Sequence, residues 1–239
     1  MKIVLCLFLT LPFIGLSQSS SGINASAFRS VQNNQYVIIK KQGKTSINDI
    51  NGSPFITDDY VKGKIIDTKE DVEVTTSIKY SAYSDKFLIK LDDSDKNFQL
   101  PRAERYEYLY EGKRFFILIN EQLFDDTDNK YVVKLVDRPE LKLYKQYNIE
   151  LNPGREARNT YDPGEEPSFY RNDKFYLKLA GNETKRLNTE RKDFAAQFPA
   201  NYQADMENFV YDKKLKFRKE TLDFDVLRAM RYYLKIKNN

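Results

Sequence analysis

Histidine and tryptophan are absent from the 239 residues, and cysteine occurs once. Without an imidazole there is no serine-histidine or cysteine-histidine nucleophile, no histidine metal ligand and no histidine proton shuttle. Chemistry that remains open must be run by carboxylates, lysine, tyrosine, serine or threonine. Long apolar runs are equally scarce. The one that exists is Ile3 to Leu16, behind Met1-Lys2. Its 14 residues fall short of the ~20 needed to span a bilayer and match the apolar region of a secretory signal.

Small residues close that run at Gly15 and Ser17, so cleavage is expected between Ser17 and Gln18, leaving a mature chain of 222 residues. Cys6 has only three apolar residues before it, preceded directly by Leu5, which does not fit a lipid-anchor site. It departs with the signal. The mature protein is then exported yet free of disulfides, and must be held by its own core. No transmembrane segment is expected after signal removal, and the expected location is periplasmic or extracellular.

Charge is nearly even, with 39 basic and 35 acidic residues. From Gln18 to Asn172 there are 23 basic and 25 acidic residues, whereas from Asp173 onward there are 15 and 10. The mildly basic tail fits either a solvated helical surface or contact with an acidic one. Export and the near-neutral balance argue against a nucleic-acid groove.

Residues 18–34 are mostly small and polar and form an expected flexible lead. From 35 to 151 the dominant period is two. Val72, Val74, Ile78 and Tyr80 alternate with polar residues, as do Phe87, Ile89 and Leu91, then Tyr131, Val133 and Leu135, then Leu141, Leu143 and Ile149. Polar turns at Lys69-Glu70-Asp71, Tyr83-Ser84-Asp85, Glu111-Gly112 and Asp137-Arg138-Pro139-Glu140 separate these runs. The pattern predicts an antiparallel β meander, as an open barrel or a strongly curved sheet. Phe115 to Ile119 is apolar on both faces, so an outer cover is expected, with the C-terminal helices as its source. Residues 152–168 carry two Pro-Gly pairs and read as an exposed loop.

In the last part, 169–239, one more strand at Lys174 to Leu179 precedes a change of period. Phe194, Ala195 and Phe198, then Tyr202, Met206, Phe209 and Val210, then Val226, Leu227, Met230, Tyr233 and Leu234 recur at helical spacing. They predict a three-helix unit packed on the sheet, with Asn188, Asn201 and Asp223 or Asp225 as N-caps. The expected class is α+β.

The signal ending in Leu-Ser-Gln, the run Gly52-Ser53-Pro54-Phe55 leading to Asp59-Tyr60-Val61-Lys62-Gly63, the strand end Ile78 to Asp85, and the tail Leu215-Lys216-Phe217-Arg218-Lys219 with Arg231-Tyr232-Tyr233 resemble an uncharacterised family of secreted proteins of the Bacteroidetes phylum. The resemblance implies a cell-envelope location and carries no activity or catalytic residues. The Pro-Gly loop near residue 160 departs from it in length and charge.

Candidate sites are few. Gly43-Lys44-Thr45 resembles the end of a phosphate loop, but the earlier glycine is replaced by Ile38. Asp93, Asp95, Asn97 and Glu104 copy four positions of a calcium loop, yet its glycine position holds Phe98. The weak metal candidate is this set, with the acidic turn Asp125 to Asn129 beside it; the ordinary reading of both is a solvated turn. Asp58, Asp59, Glu104, Glu107, Glu111 and Asp137 supply carboxylates for a hydrolase without marking any pair. Tyr106, Tyr108 and Tyr110 share one strand face and are either core or a stacking platform for a sugar or peptide. No cofactor is expected. The composition favours a non-enzymatic envelope protein that binds a glycan, lipid or protein; the rivals are a carboxylate-dependent glycan hydrolase and an open barrel carrying an apolar ligand.

Overall fold

The computed structural model describes residues 38–39, 44–45, 50–90, 97–124, 129–159 and 161–238. The signal segment, its cleavage point at Ser17 and Gln18, and nearly all of the lead lie outside them. Fourteen strands and two α-helices follow in order: β1 (Ile38–Ile39), β2 (Lys44–Thr45), β3 (Val61–Asp67), β4 (Val72–Ser81), β5 (Lys86–Lys90), β6 (Asn97–Gln99), β7 (Tyr106–Tyr110), β8 (Lys113–Leu118), β9 (Lys130–Arg138), β10 (Leu141–Gln146), β11 (Ile149–Asn152), β12 (Ser168–Arg171), β13 (Lys174–Leu179), β14 (Lys185–Arg186), α1 (Ala200–Asp212) and α2 (Leu222–Lys237).

Ten of the strands form one antiparallel sheet in the order β14-β13-β10-β9-β8-β7-β3-β4-β5-β6. The chain runs outward from β3 to β6, returns to the middle to pair β7 with β3, and runs outward again. At the centre, β7 and β8 turn through Glu111-Gly112, both at positive φ, which is the tight hairpin that alternating strands close most readily. The sheet is open, since β6 and β14 are not paired with each other.

It is nevertheless strongly curved. In a flat sheet β5 and β9, five positions apart, would stand about 24 Å from each other. Yet the rings of Phe87 on β5 and Tyr131 on β9 lie 5.3 Å apart, and those of Tyr80 on β4 and Phe115 on β8 lie 5.1 Å apart. Gly63 on β3 permits this closeness, because a Cβ there would meet Ile78 Cδ1 at 2.4 Å and the Leu109 carbonyl oxygen at 2.6 Å.

The concave face holds two cores. Tyr80, Phe87, Tyr108, Phe115 and Tyr131 fill the first together with Ile65, Ile78 and Val133. The second core sits on β10 and β13, where Leu141, Leu143, Phe175 and Leu177 meet Met206, Val210, Val226, Met230 and Tyr233. Leu135, beside the register shift between β9 and β10, packs against both.

Three expectations need correction. The helical unit has two α-helices; the Phe194–Phe198 segment makes only a single 3-10 turn at Ala195–Gln197. Pro199 is the reason, since it forces Phe198 into extended backbone before a helix of useful length can form. The expected caps also shift, with Pro199 and Thr221 at the helix starts. Asn188 instead caps a turn at Glu190, and Asp225 accepts from the backbone of Lys216 and Phe217 and from Thr221 Oγ. Finally, the outer face of β8 is not covered by the helices. Phe116 and Leu118 pack with Val132, Tyr144 and Tyr176 under Leu123 and Phe124, at the 3-10 turn Glu121–Leu123.

Candidate functional site

The two faces of β10 have different destinations. Leu141, Leu143 and Lys145 point into the concave side, so Tyr144 and Gln146 stand on the convex one. Register continues that convex row across the sheet, pairing Tyr144 with Tyr176, Gln146 with Lys174, and Tyr176 with Arg186. Three walls rise around the row: the β11–β12 hairpin with Glu150 and Tyr170, the β4–β5 turn from Ala82 to Asp85, and Leu123-Phe124. Together they enclose a cleft of about 720 Å³, within the size range of small-molecule sites.

Each wall is pinned. Asp85 is buried, accepts from Tyr80 Oη at 2.5 Å and from the Tyr131 backbone N–H at 3.2 Å, and pairs with Arg102 at 2.6 Å. Arg102 donates further to the Asn129 carbonyl oxygen, so the β4–β5 turn is tied to the start of β9. The hairpin is held by Ile149 N–H to the Ala82 carbonyl oxygen at 3.3 Å, and by Phe169 N–H to the Asn51 carbonyl oxygen at 2.8 Å. Within its loop Arg155 and Glu165 exchange backbone hydrogen bonds of 2.8 and 2.7 Å, and Arg155 pairs with Asp162. Phe124 packs edge-on against the Tyr176 ring, centroids 5.5 Å apart.

Gln146 is 4 % exposed and accepts from Tyr176 Oη at 2.6 Å, while its Nε2 donates to no other described residue. That nitrogen is not a buried orphan, so within the cleft it can donate to solvent or to a ligand. Glu150 differs. Burial alone would raise its pKa, but hydrogen bonds from Tyr170 Oη (2.8 Å), Asn172 Nδ2 (2.9 Å) and Asn148 Nδ2 (2.9 Å), with Lys174 nearby, outweigh it and hold the carboxyl below the usual glutamate value. It is an ionised structural acceptor. A second hollow of about 590 Å³ lies further along the same face, between Leu118, Tyr144 and Lys178.

The residues singled out in the sequence do not meet here. Tyr106, Tyr108 and Tyr110 are buried in the first core, Tyr108 stacked on Phe87 with centroids 4.5 Å apart, so they form no platform. Their hydroxyls are satisfied by the Arg105 side chain, the Pro101 carbonyl oxygen and Thr57 Oγ. Of the calcium-like set, Asp93 and Asp95 lie outside the described residues; Asn97 accepts from Tyr60 Oη at 2.7 Å, and Glu104 sits in the turn before β7. The acidic turn 125–128 also lies outside them. Among the described residues no group of three or more Asp, Glu or Cys is placed to hold a metal ion. Lys44 and Thr45 form strand β2 against β1, where a phosphate loop would open a helix.

None of Asp58, Asp59, Glu104, Glu107, Glu111 or Asp137 lines the cleft. Glu107 faces Arg114 at 3.2 Å, and Asp137 bonds Lys134 at 2.8 Å, which keeps its pKa low. The residues that do build the site, Gln146, Glu150, Tyr170, Tyr176 and Arg186, carry no local signature. Only the exit of Gln146 from the apolar alternation of β10 distinguishes it, and any surface position of a strand has that property.

No family model matches the chain, and no curated protein or solved structure shows similarity to it.

Proposed function

We propose that the protein is exported, resides in the cell envelope and acts by binding an envelope glycan in the convex-face cleft, without catalysing a reaction on it. The observation that carries this reading is the Gln146 amide, whose oxygen accepts from Tyr176 while its Nε2 stays available to donate into a polar cleft of about 720 Å³. Hydroxyl-rich ligands satisfy such a donor; a lipid tail does not. Tyr170 and Tyr176 give the site aromatic surface beside its polar groups.

The hydrolase alternative is less well supported. A glycosidase acid needs a carboxyl kept protonated near neutral pH. Of the two carboxylates in the cleft, Glu150 is held ionised by three donors, and Asp85 is committed to Arg102, Tyr80 and the β9 backbone. Both act as struts.

The test is capture from a detergent-free extract of the native envelope, comparing the mature protein with Gln146→Leu and Tyr170→Ala variants of matched circular dichroism. The wild type is expected to retain polysaccharide, and the variants at least tenfold less. Recovery of nothing by the wild type at low salt would sink the binding reading. New reducing ends in the retained polysaccharide would replace it with the hydrolase.

A further inference from the structure

Resting on the binding reading above, we infer that the cleft is selective for a carboxylate-bearing saccharide, with Arg186 receiving the carboxylate and Gln146 a neighbouring hydroxyl or ring oxygen. Three observations lead there. First, Arg186 on β14 stands on the same convex row as Gln146, and its guanidinium makes no hydrogen bond or ion pair with any described residue. Two strand spacings and two residues along the strand separate their Cα atoms, a span of about 12 Å. Both residues line the cleft, and that span leaves room for a ring-sized polar ligand between them.

Second, the two carboxylates of the lining are already engaged, Asp85 by Arg102 and Glu150 by Tyr170, Asn148 and Asn172, so neither is a counter-ion for Arg186. A phosphate monoester, with nearly two charges, would meet the fixed carboxylate of Glu150 on the hairpin wall. Third, a guanidinium presents parallel N–H donors that fit the two oxygens of a carboxylate, and this geometry is what separates an acidic sugar from a neutral one of the same shape. Tyr176, cross-strand neighbour of Arg186 and hydrogen-bonded to Gln146, sits between the two contacts and fixes their spacing.

The experiment is titration calorimetry of the mature protein with tetrasaccharides of galacturonate, glucuronate and mannuronate, each as the free acid and as its neutral methyl ester. At least one acid is expected to bind ten times or more tightly than its ester. Arg186→Gln should erase that ratio by weakening the acid more than the ester, Arg186→Lys should restore only part of it, and Gln146→Leu should weaken acid and ester alike. Competition by inorganic phosphate as effective as that by the best uronate would overturn the carboxylate assignment. Esters binding as well as acids would overturn it too, with the glycan-binding reading intact. If no tetrasaccharide binds while envelope capture remains dependent on Gln146, the saccharide class is wrong; if capture also fails, both readings fall.

Discussion

Asp85 shows how much a single buried side chain can organise. It closes the β4–β5 turn, anchors Tyr80 and receives the Tyr131 backbone N–H near the start of β9, with Arg102 balancing its charge. Removing one partner of such a pair leaves an uncompensated buried charge, so Arg102→Ala is expected to cost about 3–5 kcal/mol in urea unfolding. Tyr80→Phe removes a single donor and should cost about 1–2 kcal/mol. The tyrosines around it make a second test possible. Burial pushes the phenols of Tyr80, Tyr108 and Tyr131 well above the ordinary value of 10. The unfolded chain therefore releases these protons near pH 10 while the native chain keeps them. Their contribution to stability is complete below pH 10 and declines above it, by about 1.4 kcal/mol per pH unit for each phenol still protonated in the native state. Thermal melts from pH 9 to 12 should fall steeply above 10, and the absorbance of these phenolates should appear only with unfolding.

At the level of elements, β10 joins the two cores. Lys145, 1 % exposed, lies at their boundary with its Nζ 2.9 Å from Asp173 and 2.5 Å from Asp223, and with the Tyr147 ring 4.6 Å away. The two carboxylates are not equivalent. Asp173 is 7 % exposed and Asp223, at the start of α2, is 57 % exposed. Asp173→Ala is accordingly expected to destabilise by about 3 kcal/mol and Asp223→Ala by about 1 kcal/mol or less, measured by chemical denaturation. Strand β3 has its own requirement. Gly63→Ala would place a methyl group against Ile78 and a backbone carbonyl, and a loss of about 2–3 kcal/mol is expected.

For the molecule as a whole, one sheet spans both cores and Leu135 touches each. Unfolding of the protein should therefore be a single transition, with tyrosine fluorescence from the first core and far-UV signal from the helices changing at the same urea concentration. Two separate midpoints would mean that the helical unit is independent. Strands β4, β5, β7 to β10 and β13 were legible in the chain, because alternation of buried and exposed side chains is a local property that the sheet only amplifies; β6 and β12 are too short and polar to show it, and Ile149 of β11 read as a continuation of β10. Phe194–Phe198 misled because helical spacing of three apolar residues says nothing about whether a following proline leaves room for a helix.

The cleft belongs to another category. Gln146, Glu150, Tyr170 and Arg186 come from four strands and acquire meaning only through register, which sets Gln146 and Arg186 on one row of the large sheet and pairs Glu150 with Tyr170 on the hairpin beside it. Tyr106, Tyr108 and Tyr110 show the converse. Their shared strand face was evident from spacing, but whether that face met solvent or Phe87 depended on how far the sheet curled, and that is set by contacts between strands five positions apart. Composition by itself excluded imidazole chemistry, and periodicity by itself determined strands and an antiparallel sheet. Curvature, the cover of the outer face and the position of every polar group in the cleft were decided by tertiary packing, since each depends on residues far apart in the chain meeting at distances of a few ångströms.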